Sequence, residues 1–290
     1  MQLPSRSTFL HMRFFFSFFL LPVYLFALSQ APILIVTNAT LVFVIWHFFI
    51  YPASNGYNSY FDKDEGSIAL LEKPPLTDKT LYQYSLALDT IGVLMSFIVS
   101  VEFAVATLLY GILSKLYSHP SVRLKKYPVG SFLVVFIFQG AFVYWFSYTA
   151  ISGVSIFTVW NMPFFIAGLV CSCLIGASYP LTQVYQHEED RKRGDTTLSM
   201  ILGIKGSFAF AALLFLLASV LIYWYWQLEH QIRNFWLFLL FILPVLIIFL
   251  KWLLEVLNDA RNANFKNMSK MTLSSGTAML IYFLIVLLIG

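Results

Sequence analysis

Charge is what this sequence has least of: Asp, Glu, Lys and Arg make up 11% of its 290 residues, where a soluble domain carries about 25%. A chain of this length with so few charged side chains cannot cover its surface in water, which excludes a water-soluble globular protein. Cysteine is nearly missing too. Cys171 and Cys173 lie two residues apart in one apolar run; on a helix they face different ways, which excludes a disulfide framework and a thiolate metal pair. Nor is there a basic excess. Eighteen Lys and Arg against fourteen Asp and Glu leave a net charge of +4, so a nucleic-acid-binding surface is excluded, as are disordered and collagen-like chains. What abounds is apolar and aromatic: 59% hydrophobic residues with thirty Phe, sixteen Tyr and seven Trp, and a mean hydropathy of +0.78. Such a chain belongs in a bilayer.

A spanning helix needs about 20 mostly apolar residues. Cutting the sequence at its polar clusters predicts an all-α polytopic membrane protein with about nine spans, roughly at 13–29, 31–52, 82–99, 101–117, 129–150, 157–180, 206–226, 235–257 and 272–289. The stretch 81–118 is too long for one ordinary span and is divided near Ser100 and Glu102, because an acid sits better at an interface than in lipid. The N-terminal run with Arg6 and Arg13, ending Ala27-Leu28-Ser29-Gln30-Ala31, also has the outline of a cleavable signal; its length and the spans that follow favour an uncleaved first helix. The sequons at Asn38 and Asn267 fall in a span and in a loop expected to be cytoplasmic, so neither reads as a glycosylation site.

With the N-terminus inside and nine crossings, seventeen of the eighteen Lys and Arg fall on one side, leaving Arg233 alone on the other. That asymmetry is the positive-inside pattern, and a wrong span count would scramble it. The N-terminus and the loops bearing most of the acids are therefore expected to be cytoplasmic.

Two acidic clusters stand at helix ends on that side. In Asn55-Gly56-Tyr57-Asn58-Ser59-Tyr60-Phe61-Asp62-Lys63-Asp64-Glu65-Gly66, helical spacing puts Asn58 and Asp62 one turn apart and returns Glu65 to within about 20° of Asn58. Three oxygen-bearing side chains would converge there. Mg²⁺ takes a few such oxygens and fills its shell with water and ligand phosphates. In Gln186-His187-Glu188-Glu189-Asp190-Arg191-Lys192-Arg193-Gly194-Asp195, the same spacing puts Gln186, Glu189 and Asp190 on one face. His187 beside Glu188 lacks a second His at ligand spacing, which argues against zinc. Either cluster alone reads more readily as the solvated end of a membrane helix. Between them in sequence lies the basic loop Tyr117-Ser118-His119-Pro120-Ser121-Val122-Arg123-Leu124-Lys125-Lys126. Two metal-competent faces and a cationic loop on one side suit a diphosphate, with metals bridging its oxygens and Arg or Lys neutralising the rest.

In these residues the chain resembles the UbiA superfamily of intramembrane prenyltransferases. That family pairs an NxxxDxxxD motif with a DxxxD motif, and the counterparts here run from Asn58 to Asp62 and from Glu189 to Leu198. Tyr117-Ser118-His119-Pro120 with Arg123-Leu124-Lys125-Lys126 is similar to the family's intervening loop, and Asn264-Phe265-Lys266-Asn267 to a recurrent loop before its last helix. The four landmarks occur in order over nearly the whole chain.

The resemblance implies one domain over 1–290: a nine-helix bundle around a central cavity open to the cytoplasm and laterally to lipid, with a polyprenyl diphosphate donor held by two Mg²⁺. It implies catalytic roles for Asn58, Asp62 and Asp190. It also implies an enzyme moving a prenyl group to a hydrophobic acceptor, commonly an aromatic acid or quinone precursor, among membrane lipids. The family's third acid in motif one falls here on Gly66, and the first acid of motif two on Gln186. On the helical-face argument, Glu65 and Glu189 replace them. The expected metal set is thus Asn58, Asp62, Glu65, Gln186, Glu189 and Asp190, and the expected diphosphate set Arg123, Lys125 and Lys126. Glu65→Ala should then abolish metal-dependent activity while Asp64→Ala does little.

The chemistry follows from charge. Metals and cations stabilise a departing diphosphate, and a water-poor aromatic cavity protects the allylic cation left behind. The many Phe, Tyr and Trp equally suit lipid-facing surfaces, so none is singled out. The remaining readings are a terpene cyclase of the same fold, a secondary transporter with Asp89 as its mid-membrane acid, and an isoprenoid-binding relative weakened by Gly66 and Gln186.

Overall fold

The computed structural model describes residues 3–63, 66–68 and 71–289. Among them nine helices are long and apolar enough to cross a membrane. They are spans 1 to 9: Arg6–Gln30, Val36–Asp62, Lys79–Val99, Val101–Ser118, Pro128–Ser152, Met162–Thr182, Leu198–Leu228, Arg233–Asn258 and Phe265–Ile289. The count and the all-α class agree with the expectation, but the ends differ. Spans 1, 7 and 9 begin seven or eight residues before the hydropathy minima suggested, because a polar first turn can be helical outside the hydrocarbon, where hydropathy gives no signal.

Local chemistry places the breaks. Ser100 ends span 3 with extended dihedrals (φ −168°, ψ 160°) and caps span 4, its hydroxyl accepting from the Phe103 N–H at 3.0 Å. The continuous 81–118 run is thereby split where expected, since an N-cap oxygen satisfies a helix's orphan donor. Glu102 then lies at the end away from the acidic clusters, holding the Ser155 hydroxyl (2.6 Å) and the Ile156 N–H (2.9 Å). Asp78 caps span 3 and Asn161 caps span 6. Gly153 closes span 5 at φ 66°, the left-handed conformation a glycine adopts without steric cost.

Spans 2 and 5 each widen into a π-helical stretch, at Ile45–Ile50 and Phe136–Phe142. In span 5 the widening lets the Ala141 N–H reach the Ser172 hydroxyl of span 6 at 2.9 Å. Gly140 makes that approach possible, because a Cβ there would sit 2.4 Å from the Ser172 Cα; small residues permit such close crossings in lipid. Span 6 lies deepest in the bundle and packs on spans 5 and 7.

The core is aromatic, with Phe26, Trp46, Tyr144, Trp226, Tyr282 and Phe283 essentially inaccessible. Phe26 of span 1 stacks on Phe283 at 4.6 Å and meets Tyr144 and Tyr225. The first helix is thus part of the core. Span 1 kinks at Arg13, which takes left-handed dihedrals (φ 49°, ψ 49°), uncommon for a residue with a side chain. Arg13 Nη2 donates to the Asn55 carbonyl at 3.2 Å, and its guanidinium lies 5.8 Å from the Phe16 ring centroid. The kink keeps a cation at the end of the bundle where the basic loops gather.

Asp89, the acid that raised the transport reading, is paired with Lys115 of span 4 beneath Gly111. It is neutralised inside helix packing and lines neither of the two cavities described below.

Candidate active site

Two connected spaces open inside the basic end of the bundle. The larger, about 640 Å³, is mainly apolar and runs among spans 1, 2 and 4 to 9. The smaller, about 210 Å³, is polar and sits at its mouth. Arg13, Asn58, Tyr117, Tyr179 and Thr182 line both, so the two form one continuous volume with a polar head and an apolar body.

Span 2 delivers the first motif. Asn58 and Asp62 stand one turn apart in its last helical segment, Tyr51–Asp62, and both line the polar chamber. The Asn58 Oδ1 is buried with no hydrogen-bond partner, an uncommon state for a buried acceptor and one that a ligand relieves. The helix stops at Asp62 because Lys63 turns left-handed (φ 49°, ψ 48°), its N–H closing on the Ser59 carbonyl at 3.0 Å. The helical register that was to carry Glu65 back over Asn58 therefore does not continue, and the geometric reason for placing Glu65 with the metal set is lost. Glu65 itself lies outside the described residues.

The basic loop supplies the cation. Arg123 takes a left-handed conformation (φ 46°) and starts the short turn Leu124–Lys126. This aims Lys125 into the chamber, where it pairs with Asp62 and lies 3.7 Å from Asp195. Arg123 grips Asp195 with both arms, Nε to Oδ1 at 2.9 Å and Nη2 to Oδ2 at 2.8 Å. Lys126 turns out over the Tyr127 ring at 5.0 Å. Of the three cations expected to hold a diphosphate, Lys125 lines the chamber, Arg123 acts through Asp195, and Lys126 is not among the lining residues.

The second motif divides between the chamber and a neighbouring segment. Its helix is only His187–Lys192, and Gln186 precedes it. Asp190 and Gln186 line the chamber, but Gln186 Nε2 donates to the Ser67 carbonyl at 3.1 Å. Glu189 is engaged by Arg193 and accepts the Gly66 N–H at 3.3 Å, and it is not among the lining residues. Gln186 and Glu189 thus clasp the segment that follows the first motif, whose Ile68 is buried against the chamber. Gly66 fits because any Cβ there would meet the Glu189 carboxylate at 2.6 Å. His187 hydrogen-bonds the Ser199 hydroxyl at 2.8 Å, and burial with the neighbouring Arg191 holds its pKa below the usual histidine value.

Sequence reasoning passed over Asp195 as a site residue. It is 4% exposed, lines the chamber and is gripped by Arg123. Two signals mark it: a buried acid must be paired, and it follows Gly194, whose φ of 75° turns the chain back after the helix. Asp190 is affected most. Burial raises its carboxyl to about 6, with Lys125 and Arg193 opposing and Asp195 and Glu189 adding to the shift. Tyr117 and Tyr179, hydroxyls 3.0 Å apart, mark the boundary with the apolar body. The Asn264 landmark proves structural. Its Oδ1 accepts the Asn267 N–H at 3.0 Å, while the Asn262 carbonyl collects Trp252 Nε1 (2.8 Å) and Asn267 Nδ2 (3.0 Å), closing the turn between spans 8 and 9.

Among the described residues no three Asp, Glu, His or Cys side chains gather into a closed metal cage. What the chamber offers is the buried Asn58 oxygen and the separate carboxylates of Asp62, Asp190 and Asp195 around Lys125. That donor set suits a hard cation bound by one or two protein oxygens, with the rest from water and phosphate.

A nine-helix membrane bundle with an acid- and lysine-lined head over a deep apolar cavity is the fold of an intramembrane prenyltransferase. The chain belongs to the UbiA prenyltransferase family, whose family model matches residues 17–276. Solved structures share the whole fold. A UbiA homologue from Archaeoglobus fulgidus bound to DMAPP and Mg²⁺ superposes with a TM-score of 0.69 at 17% identity, over 99% of this chain and 100% of that one. An apo UbiA homologue from Aeropyrum pernix K1 gives 0.68 at 18% over 93% and 98%. A digeranylgeranylglyceryl phosphate synthase gives 0.61 at 20% over 98% and 97%. No curated protein sequence matches the chain.

Proposed function

We propose that this protein is a Mg²⁺-dependent transferase, one domain over 1–290, that moves a polyprenyl group from an allylic diphosphate to a hydrophobic acceptor of the aromatic or quinone-precursor class. The observation that carries the reading is the continuity of a polar chamber, holding Asn58, Asp62, Lys125, Asp190 and Asp195, with an apolar cavity of about 640 Å³. One end suits a diphosphate and the other an isoprenoid chain. The fold is shared with a homologue bound to DMAPP and Mg²⁺ and another bound to GPP and Mg²⁺, which supports the same donor class and ion here.

Asn58, Asp62 and Asp190 are the proposed metal ligands and catalytic residues, with Asp195 in the place first given to Glu189. Mg²⁺ when bound supplies positive charge against the diphosphate oxygens. Lys125, now satisfied by Asp62 and Asp195, is free to neutralise the diphosphate once those acids are otherwise engaged. Arg123 keeps the Asp195 carboxylate oriented through its two-armed grip. As the allylic C–O bond breaks, its electron pair leaves with the diphosphate. The apolar body excludes water from the allylic carbon, which the acceptor then attacks, its displaced proton leaving with the diphosphate or to water at the mouth. The basic end of the bundle, with the N-terminus, is proposed to face the cytoplasm, where positive loops are retained.

Detergent-purified protein is incubated with geranylgeranyl and farnesyl diphosphates, with and without Mg²⁺, over a mixed pool of acceptors. Mg²⁺-dependent diphosphate release with a prenylated product is expected. The clasp of Gln186 and Glu189 on the loop at 66–67, which occupies the Gln186 amide and engages Glu189 outside the chamber lining, favours one second reading: an isoprenoid-binding relative. Release of nothing from folded protein that still binds the donors would support it, and a hydrocarbon or alcohol formed without acceptor would support a cyclase.

A further inference from the structure

The walls of the large cavity differ in chemistry. The span 8 residues that line it are all apolar, among them Ile242, Val245 and Phe249. Span 4 instead presents Tyr110, Ser114 and Tyr117, at i, i+4 and i+7 and so on one face. Each faces a polar side chain from another helix. Ser114 shares a hydrogen bond with Ser54 at 2.5 Å and Tyr117 with Tyr179 at 3.0 Å, and Tyr110 faces Gln139 of span 5 at the cavity wall. Tyr110 and Tyr117 are seven residues apart, which at ~1.5 Å per residue puts the Tyr110–Gln139 pair about 10 Å further into the membrane than the mouth. Beside it lies Tyr51, its ring 5.9 Å from that of Tyr110 and its buried hydroxyl without a partner.

Polar side chains at that depth are expensive, and they are found facing cavities with which they interact. A prenyl chain has no group for them. The lining also limits the ligand's charge, since Arg13, at the mouth, is the charged residue among those lining the large cavity. We propose that Tyr110 and Gln139 recognise an uncharged hydrogen-bonding group, a hydroxyl or carbonyl, on the acceptor. This deepens the transferase reading and rests on it. The acceptor is then an elongated molecule with its reactive or anionic end at the mouth and a neutral polar end about 10 Å inward, lying along spans 4 and 5 while the donor chain follows the apolar side of span 8.

The test uses the detergent-purified full chain and two binding probes that differ only at the far end, 6-hydroxy-2-naphthoate and 2-naphthoate. The wild type is expected to bind the hydroxylated probe about fivefold more tightly, the size of one net hydrogen bond. Gln139→Leu and the milder Tyr110→Phe should each bring that ratio close to one. Geranylgeranyl diphosphate binding with Mg²⁺ should stay within about twofold in both, because the diphosphate is held at the mouth. A wild-type ratio of one, or a ratio unchanged in both variants, overturns the inference while donor binding stands. Weakened donor binding in both variants assigns the pair to the donor chain and also overturns it. If the wild type binds no prenyl diphosphate at all, the transferase reading falls, whatever the naphthoates show.

Discussion

The two acidic motifs reach one chamber by different means, and the difference separates what is rigid in the site from what is adjustable. Asn58 and Asp62 stand on the last turns of a 27-residue span. Their positions are set by helix geometry and by packing that extends to the far side of the bundle. Asp190 and Asp195 straddle the end of a six-residue helix, too short to be stable alone. They are held by side chains instead, Asp195 by Arg123 and the adjacent Glu189 by Arg193 and the Gly66 N–H. The first motif is part of the scaffold, whereas the second is fastened to it.

Removing a carboxylate from each side tests that contrast most severely. Asp62→Asn and Asp190→Asn are each expected to lower Mg²⁺-dependent diphosphate release by about 10²-fold or more, the scale seen when a group that stabilises transition-state charge is lost. Asp190→Asn should leave thermal stability nearly unchanged, since burial already disfavours that charge, whereas Asp62→Asn also removes the partner of Lys125 and should lower it. Release measured at saturating donor, alongside a melting curve, separates the two effects. Equal losses make the motifs equivalent ligands. A small loss at Asp190 would assign the ion to the first motif.

Asp195 and Glu189 sharpen the comparison within the second motif. Asp195→Asn keeps the shape but weakens the grip of Arg123 and the contact with Lys125, and a roughly tenfold loss of release is expected. Glu189→Gln keeps an acceptor for the Gly66 N–H and should cost no more than about threefold, because that side chain is not among those lining the chamber. The opposite ranking would return Glu189 to the metal set that helical spacing first suggested. Gln186→Leu removes the donor to the Ser67 carbonyl. Its expected effect is faster tryptic cleavage at Lys63, a few-fold by limited proteolysis, with little change in turnover.

How much of this was legible in the sequence follows from the same distinction. Nine spans could be counted because apolar length is a property of composition, and the Ser100 break could be placed because an acid two residues on resisted burial. Helix arithmetic worked for Asn58 and Asp62, where the helix continues. It does not reach Glu65, because Lys63 ends that helix in a left-handed turn, and it could not tell that Glu189 is engaged by Arg193 and the Gly66 N–H. Asp195 was hidden for a related reason: its place depends on Arg123, 72 residues away, and local periodicity carries no information about such a partner.

The smallest expected effect concerns the far end of the segment that the second motif clasps. Asp78 caps span 3 by accepting the Leu81 N–H at 3.1 Å, and it also receives the hydroxyls of Ser5, Thr8 and Thr80. His11 of the same N-terminal helix bonds the Pro75 carbonyl at 2.7 Å, so the connection between spans 2 and 3 is tied at one end to the second motif and at the other to span 1. Burial alone would raise the Asp78 carboxyl, but the four hydrogen bonds outweigh it and lower the pKa from 3.8 to about 2. A depressed folded-state pKa means that the ionised form favours folding. Its contribution is complete above about pH 4 and is lost as pH falls toward 2. Asp78→Ala should therefore cost about 1 kcal/mol near neutrality, the usual value of an N-cap. The gap between its melting curve and that of the wild type should narrow below pH 4. A gap that stays constant down to pH 3 would show that the cap acts through shape alone and that its charge contributes nothing to holding the connection in place.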